Sequence, residues 1–311
     1  LVVGFVFLIK GADFFIVSSS SIARKFNVSP LIIGLTLVAF GTSLPELAVS
    51  FAASLSVLPG QTADIAMGNI IGSNIANLTL ILGTSAIFMP ILVKKSMNRR
   101  EFPFLIGMTI LLVILGFFFQ SSPQIGRIEA MILLLVFALY MYLMITGEKE
   151  LPTEDLKVID TKKAMILLII GIAGVSIGGM MVTRGAEFIA INGLVSFFNM
   201  DVSKATTLVG LSVVALGTSL PELVTSALAA KKGENEIALG NVVGSNVFNS
   251  LLIVGLSGVV TPLGLNGDVL IDMVILIGIT MLVILMAVTK GKIIKFEGIL
   301  LVAIYVSYIA Y

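Results

Sequence analysis

The sequence predicts an all-α membrane protein of ten transmembrane helices, arranged as two inverted five-helix repeats with discontinuous helices at the core. Three observations predict this fold. The chain is 58% hydrophobic and only 12% charged, whereas soluble domains carry about 25% charged residues. Its apolar runs have the length of membrane-spanning helices and lack the alternating pattern of β-barrel strands. Two polar blocks within these runs also occur twice along the chain.

The predicted helices occupy most of the chain, and most connections between them are short. Their approximate ranges are 1–24, 30–58, 63–89, 101–119, 125–146, 163–197, 204–230, 236–260, 268–289 and 293–311. The sequence therefore divides into a first half, 1–146, a charged linker, 147–163, and a second half, 164–311. Because each half contains an odd number of helices, the two halves are expected to have opposite orientations in the membrane.

The distribution of Lys and Arg orients these helices. When the loops are assigned alternately to the two sides, one side holds Arg24, Lys25, Lys94, Lys95, Arg99, Arg100, Lys149, Lys157, Lys162, Lys163, Lys231, Lys232, Lys290, Lys292 and Lys295. The other side holds only Arg127 and Lys204. Since cytoplasmic loops are enriched in Lys and Arg, we expect a multi-pass protein of the cell (inner) membrane with both termini outside and the linker in the cytoplasm.

The composition also limits the chemistry. The sequence contains no Cys and no His, which excludes disulfides, thiol nucleophiles, imidazole bases and the usual zinc and copper ligands. The remaining ligands are oxygen atoms, which suit hard cations such as Ca²⁺, Mg²⁺ and Na⁺. We expect neither enzymatic activity nor a cofactor. No nucleic-acid partner is expected either, because the net charge is only +1 and no basic, aromatic-rich surface is evident.

The first repeated block places a carboxylate within an apolar stretch of each half. Residues 40–49 read FGTSLPELAV, and residues 216–225 read LGTSLPELVT. Pro45 and Pro221 are expected to interrupt their helices and to free backbone carbonyls for a cation. Because a carboxylate in hydrocarbon is costly, Glu46 and Glu222 are expected to be functional. The alternative is a pair of proline hinges whose glutamates only form hydrogen bonds between helices.

Neutral oxygen ligands accompany both glutamates. Residues 68–77 read GNIIGSNIAN, and residues 240–249 read GNVVGSNVFN. Close helix packing explains the glycines but leaves the amides unexplained; Asn74 and Asn77 share a helix face, as do Asn246 and Asn249. Two carboxylates would neutralise one Ca²⁺, which prefers about six to eight oxygen ligands. The candidate metal ligands are Glu46, Glu222, Thr42, Ser43, Thr218, Ser219, Asn77, Asn249, Ser73 and Ser245.

Two further pairs of charged residues lie within the predicted helices. Lys10 and Asp13 correspond to Arg184 and Glu187 in the second half. At a spacing of three residues, each pair is expected to form a salt bridge near a helix end. The alternative is a role in gating as the two long helices slide.

With these paired motifs, the sequence resembles the calcium/cation antiporter superfamily, which includes Na⁺/Ca²⁺ and H⁺/Ca²⁺ exchangers. The resemblance extends over the whole chain. It implies an antiporter that works as a single chain and exchanges Ca²⁺ for a monovalent cation by alternating access. Glu46 and Glu222 would then bind Ca²⁺ and the counter-ion competitively, and the first and sixth helices would slide across the rest of the protein.

Two features bear on the counter-ion, and they conflict. Sodium-driven members usually have an acidic residue at one of the positions of Asn77 and Asn249, whereas proton-driven members commonly share a Gly-Asn-x-x-Glu core that is absent here. Two carboxylates can exchange one Ca²⁺ for two H⁺ without a net change of charge, and removal from water favours their protonation. The sequence thus favours H⁺ slightly over Na⁺. A cation channel is a more remote alternative.

Overall fold

The computed structural model describes residues 1–26, 28–58, 61–119, 122–146, 159–198 and 215–310. Within these ranges the chain is almost entirely helical, which confirms the all-α part of the predicted fold. The helices are α1 (Val2–Lys25), α2 (Pro30–Thr42), α3 (Leu44–Leu55), α4 (64–88), α5 (Met97–Phe118), α6 (Arg127–Thr146), α7 (Thr161–Phe198), α8 (Ala215–Thr218), α9 (Leu220–Lys231), α10 (Asn235–Val260), α11 (Gly267–Lys290) and α12 (Lys295–Ala310).

The described part of the chain contains seven helices that are long and apolar enough to cross a membrane, or eight if α2 and α3 form one span. This number is smaller than the ten spans expected. The last helix, α12, has only 16 residues, whereas a span needs about 20. The span expected at 204–230 is described only from Ala215 onward, and most of the 147–163 linker lies outside the described residues, as does Lys204.

Both repeated Pro-Glu blocks lie just after a break in a helix. Helices α2 and α3 meet at Ser43 with a bend of 48°, where the backbone leaves helical geometry (φ −79°, ψ 6°). Helices α8 and α9 meet in the same way at Ser219 (φ −86°, ψ 3°). Pro45 and Pro221 occupy the first turn of the second helix. The N–H groups of a first turn have no partner within the helix, so a proline there costs no helical hydrogen bond. Discontinuous helices are therefore present in both halves.

Helices α1 and α7 are in direct backbone contact. A Cβ atom added to Gly11 would lie 2.6 Å from the main-chain nitrogen of Val175, and one added to Gly171 would lie 2.7 Å from that of Phe15. Only glycine permits such an approach, as in other membrane helix pairs with small residues at their interface. These two helices are the ones that the resemblance to antiporters predicts to slide.

Two short strand pairs, which the sequence did not predict, connect loops of the two halves. Strand β1 (Ile91–Leu92) pairs with β4 (Lys292–Ile293), and β2 (Gln124–Ile125) pairs with β3 (Leu263–Gly264), both antiparallel. The pairs lie at opposite ends of α4. Ala63, which precedes α4, donates a hydrogen bond to Pro262 beside β3, whereas β1 follows the last residue of α4.

Ion pairs tie α1 to the loop between α9 and α10. Arg24 lies 3.3 Å from Glu234, and Ser20 donates a 2.8 Å hydrogen bond to the same carboxylate. Lys232 forms an ion pair with Asp13. The expected pairing of Asp13 with Lys10 is therefore wrong, because folding brings a Lys from the opposite half closer than the one on the same helix.

Candidate metal centre

All ten predicted ligands are buried where the broken helices meet the two polar helices, and none is more than 6% exposed. Thr42 is the last residue of α2, Ser43 lies at the break, and Glu46 lies in the first turn of α3. Thr218, Ser219 and Glu222 occupy the same places at the α8–α9 break. The remaining ligands lie on the polar helices: Ser73 and Asn77 on α4, and Ser245 and Asn249 on α10.

The carboxylate of Glu46 is bound by a hydroxyl group from the second half. Ser219 Oγ donates to Glu46 Oε1 over 3.2 Å. The Ser73 hydroxyl on α4 lies at hydrogen-bond distance from the same serine, with the two Oγ atoms 3.3 Å apart. The structure thus brings together three of the predicted ligands, from three different helical segments.

The carboxylate of Glu222 has the reciprocal environment. Ser43 Oγ, from the first half, donates to Glu222 Oε1 over 3.1 Å. Each glutamate is therefore oriented by the serine that precedes the Pro-Glu pair of the other half. Among the described residues, Glu46 Oε2 and Glu222 Oε2 are buried without a hydrogen-bond partner.

Four asparagines join α4 to α10. Asn77 Nδ2 donates to Asn246 Oδ1 (2.8 Å), and Asn249 Nδ2 donates to Asn74 Oδ1 (3.1 Å). Asn77 and Asn249 are the two predicted ligands among them. Because each uses its amide nitrogen in one of these bonds, its amide oxygen points elsewhere. Within the described chain, Asn77 Oδ1 and Asn249 Oδ1 are buried and have no hydrogen-bond partner.

One predicted ligand already donates its proton within the protein. Thr42 Oγ1 donates to Asn241 Oδ1 over 2.9 Å, and Asn241 Nδ2 donates to Ser226 Oγ over the same distance. A hydroxyl that donates one bond still has lone pairs for a cation. Asn241 had no role in the sequence analysis, although it belongs to the repeated Gly-Asn block, and its contact with Thr42 depends on two helices that are distant in sequence.

A cavity of 210 Å³ reaches the candidate centre from one side. Its lining includes Pro45 and Thr218 near the helix breaks and Arg184 and Glu187 on α7. Pro45 precedes the predicted ligand Glu46, and Thr218 is itself a predicted ligand. Arg184 and Glu187 are charged residues. The cavity therefore connects polar groups of a long helix with the broken backbone at which the glutamates lie.

This arrangement offers a cation two carboxylates and several neutral oxygens. The described residues contain no group of three His, Cys, Asp or Glu side chains that could hold a metal ion. Among the described candidate ligands, Glu46 and Glu222 are the acidic residues, and the others offer amide or hydroxyl oxygens. Such a mixed oxygen set is typical of sites for hard cations.

The chain is similar to known proteins over nearly its whole length. The family model described as sodium/calcium exchanger protein matches residues 1–146 and 163–311. CaxA of Alkalimonas amylolytica is 36% identical, over 99% of this chain and 96% of CaxA. The sodium/calcium exchanger MaX1 of Methanosarcina acetivorans is 31% identical, over 99% of this chain and 96% of its own length. The solved structure of the sodium-calcium exchanger NCX_Mj superimposes with a TM-score of 0.83 at 33% identity, over 99% of this chain and 96% of that one.

Proposed function

Because the chain belongs to the sodium/calcium exchanger family, we propose that it is a secondary antiporter that exchanges Ca²⁺ for a monovalent cation. The reciprocal pair of buried glutamates carries this proposal. Glu46 and Glu222 each hold a serine of the opposite half and each keep one carboxylate oxygen without a partner in the described chain. A carboxylate at this depth needs a cation partner, and two of them match the charge of one Ca²⁺.

The neutral ligands would complete the coordination shell. Ca²⁺ takes about six to eight oxygens, more than two carboxylates supply. The other eight candidate ligands offer hydroxyl or amide oxygens: Thr42, Ser43, Ser73, Asn77, Thr218, Ser219, Ser245 and Asn249. Breaks in the helices at Ser43 and Ser219 also free main-chain carbonyls for the ion.

Coupling would arise from competition for this one centre. If Ca²⁺ and the counter-ion both need Glu46 and Glu222, only one of them occupies the centre at a time. Each passage between the two faces of the membrane then carries one ion or the other, which makes the two fluxes interdependent. The contact between α1 and α7 provides two long helices that can move together against the remaining helices.

We propose Na⁺ as the counter-ion, with H⁺ as the second candidate. The relatives MaX1 and NCX_Mj are both named as sodium and calcium exchangers and align with nearly the whole chain. Neutral hydroxyl and amide oxygens are suitable ligands for Na⁺. One observation favours H⁺ instead: amides occupy both position 77 and position 249, so two protons would replace Ca²⁺ without a net change of charge.

We further propose the ten-span inverted topology of the sequence analysis, with halves 1–146 and 164–311, a cytoplasmic linker at 147–163, and both termini outside the cell. Three structural features support it. The helix breaks at Ser43 and Ser219 are equivalent. The strand pairs at opposite ends of α4 each join one loop of each half. Three basic residues expected on the cytoplasmic side also form ion pairs close to one another: Arg24 with Glu234, Lys94 with Glu236, and Lys232 with Asp13.

The test is ⁴⁵Ca²⁺ uptake into proteoliposomes with an outward gradient of Na⁺ or of H⁺ imposed separately. Uptake with Na⁺ alone supports sodium coupling, and uptake with the pH gradient alone supports proton coupling. Flux that needs neither gradient and does not saturate would favour a channel over an antiporter.

Glu46→Gln and Glu222→Gln are expected to abolish the exchange, because each removes half of the negative charge of the centre. The control is Glu101→Gln, which alters a fully buried glutamate held by Arg100 (2.6 Å) and Tyr140 (3.0 Å) away from the centre. Exchange in the control with loss in the other two variants supports the proposal. Substantial exchange by either Glu46→Gln or Glu222→Gln would refute the mechanism.

A further inference from the structure

Two asparagines that are not among the predicted ligands, Asn74 and Asn246, form hydrogen bonds with the side-chain amides of Asn249 and Asn77. An asparagine side chain has an oxygen that accepts hydrogen bonds and a nitrogen that only donates them. The oxygen attracts a cation and the NH₂ group repels it. An amide ligand therefore needs a contact that keeps its nitrogen turned away from the ion.

The orientation of Asn77 can be traced to a main-chain atom. Asn246 Nδ2 lies 3.4 Å from the main-chain carbonyl oxygen of Asn74, an atom that can only accept. The other end of the Asn246 amide, Oδ1, therefore faces Asn77, and it accepts the bond from Asn77 Nδ2 (2.8 Å). Asn77 must then present its oxygen on its other side, where Oδ1 is buried without a partner in the described structure.

Asn74 has the corresponding contact with the predicted ligand of the second half. Its Nδ2 donates to Ser250 Oγ (2.7 Å), and its Oδ1 accepts from Asn249 Nδ2 (3.1 Å). Asn249 Oδ1 is thereby left without a partner among the described residues. The pairs Asn246–Asn77 and Asn74–Asn249 are related by the sequence repeat, but their last contacts differ. Asn246 contacts a main-chain carbonyl, whereas Asn74 contacts the hydroxyl of Ser250.

These free oxygens lie beside the other candidate ligands. Asn77 follows Ser73 by one helical turn on α4, so the two side chains share a face, and Ser73 is at hydrogen-bond distance from the serine that binds Glu46. Asn249 stands in the same relation to Ser245 on α10. Both helices become π-helical at these asparagines, a local irregularity that is frequent at functional sites.

We propose that Asn74 and Asn246 are positioning residues: each fixes the amide orientation of the ligand on the opposite helix, so that Asn249 and Asn77 present oxygen to the transported cation. This inference rests on the proposed function. Asn74 of the first half would orient the ligand of the second half, and Asn246 of the second half would orient the ligand of the first. Ser43 and Ser219 contact the glutamates in the same reciprocal way.

The test compares Ca²⁺ KM and maximal rate in proteoliposomes for Asn246→Ala and Asn74→Ala. Without its orienting partner the ligand amide can rotate, so we expect each substitution to raise KM about tenfold or more while the maximal rate changes less than about threefold. Asn69→Ala is the matched control, since this amide of the same repeated block on α4 donates instead to Ser50 (3.1 Å). Thermal melting in detergent verifies that each variant is folded.

A rescue experiment separates orientation from general packing. A carboxylate has oxygen at both ends, so the ligand in Asn77→Asp has no wrong orientation. We expect Asn246→Ala to change KM by less than about threefold in the Asn77→Asp background. Asn74→Ala should likewise change KM by less than about threefold in the Asn249→Asp background. If the variants of one asparagine pair do not fold, the variants of the other pair provide the same test.

Two results would overturn the inference: a KM no more altered by Asn246→Ala and Asn74→Ala than by Asn69→Ala, or an equal penalty with and without the aspartate. Either result would leave the antiporter proposal intact, because that proposal depends on Glu46→Gln and Glu222→Gln. Exchange that survives those two substitutions would instead remove the basis of both proposals.

Discussion

At the residue scale, the serine before each Pro-Glu pair connects the two halves. Ser219 binds Glu46 and Ser43 binds Glu222. Hydrogen bonds to a charged group contribute about 1.5–3 kcal/mol, more than those between neutral partners. The serines thus hold both carboxylates in place, and a movement of one half relative to the other would change the geometry at both glutamates together.

The two serines are not equivalent, and this difference can be measured. Ser219 also approaches Ser73 to 3.3 Å, whereas Ser43 has no corresponding contact with a second serine in the described part of the chain. We expect Ser219→Ala to raise the Ca²⁺ KM about tenfold or more and Ser43→Ala to raise it less. Uptake of ⁴⁵Ca²⁺ at varied concentration measures both.

Ser54→Ala is the control for the serine series, because that hydroxyl bonds to the main-chain oxygen of Ser50 within its own helix (3.0 Å). Its KM should stay near that of the unmodified protein. An equal effect of all three substitutions would mean that the loss reflects general damage to the helices.

The sequence indicated which residues are candidate ligands but not how their side chains are oriented. Repetition identified the ten oxygen-bearing residues, and all of them are buried as expected. The partner of each side chain depends on which helices approach one another, and local patterns do not contain that information. Asn74 and Asn246 were recognised as sharing a helix face with Asn77 and Asn249, yet their bonds cross from α4 to α10.

At the scale of elements, helix positions followed from hydropathy, whereas interruptions and contacts required the fold. The expected helix at 30–58 is divided at Ser43, which its proline had indicated. The strand pairs and the π-helical turns had no local signal. A strand of two residues is stable only because a partner loop from the other half is held beside it, and that proximity results from packing of the whole bundle.

The contact between α1 and α7 allows a stability prediction. Alanine normally stabilises a helix by about 1 kcal/mol relative to glycine. A methyl group at Gly11 would meet the backbone at Val175, which cannot rotate away. We therefore expect Gly11→Ala to lower the melting temperature in detergent, with a destabilisation of about 1–3 kcal/mol typical of overpacking, and to slow exchange.

Gly278→Ala on α11 provides the comparison, since an added Cβ there meets nothing within 4 Å. This variant should melt at the original temperature or higher. If Gly11→Ala proved as stable as Gly278→Ala, the two helices would not be in contact at the backbone, and their joint movement would lose its structural basis.

At the scale of the whole molecule, the two ends of the bundle differ. Lys25, at the end of α1, bonds to Thr161 at the start of α7, so these helix ends lie together. This end also carries the ion pairs Asp13–Lys232 and Arg24–Glu234. The cavity beside Thr218 is lined by Arg184, about 35 Å further along α7 at 1.5 Å per residue. The cavity at Thr218 therefore lies far from the ion pairs, whereas a cavity of 380 Å³ at the charged end is lined by Lys94 and Glu236 and by no candidate ligand.

The ion pairs at the charged end should favour the state in which the cavity at Thr218 is open over one in which the candidate centre opens at the charged end. The pair of Lys232 and Asp13 is partly exposed, with side-chain exposures of 31% and 38%. Exposed pairs contribute at most about 1 kcal/mol, which corresponds to a shift in population of no more than about fivefold. We expect Lys232→Ala to reduce the fraction of molecules whose cavity is open to the outside by a factor within this limit.

The absence of cysteine in the sequence makes this shift measurable with single introduced thiols. Ala48→Cys, on the cavity wall, should react with a membrane-impermeant maleimide added outside, and Lys232→Ala should slow that reaction. Ser122→Cys, on the exposed loop before β2, should react at one rate in both backgrounds. An unchanged rate at position 48 would mean that the ion pair does not control access, whereas slowing at both positions would indicate a general change in labelling. Selective slowing at position 48 therefore links a contact at one end of the bundle to access at the other, as alternating access requires.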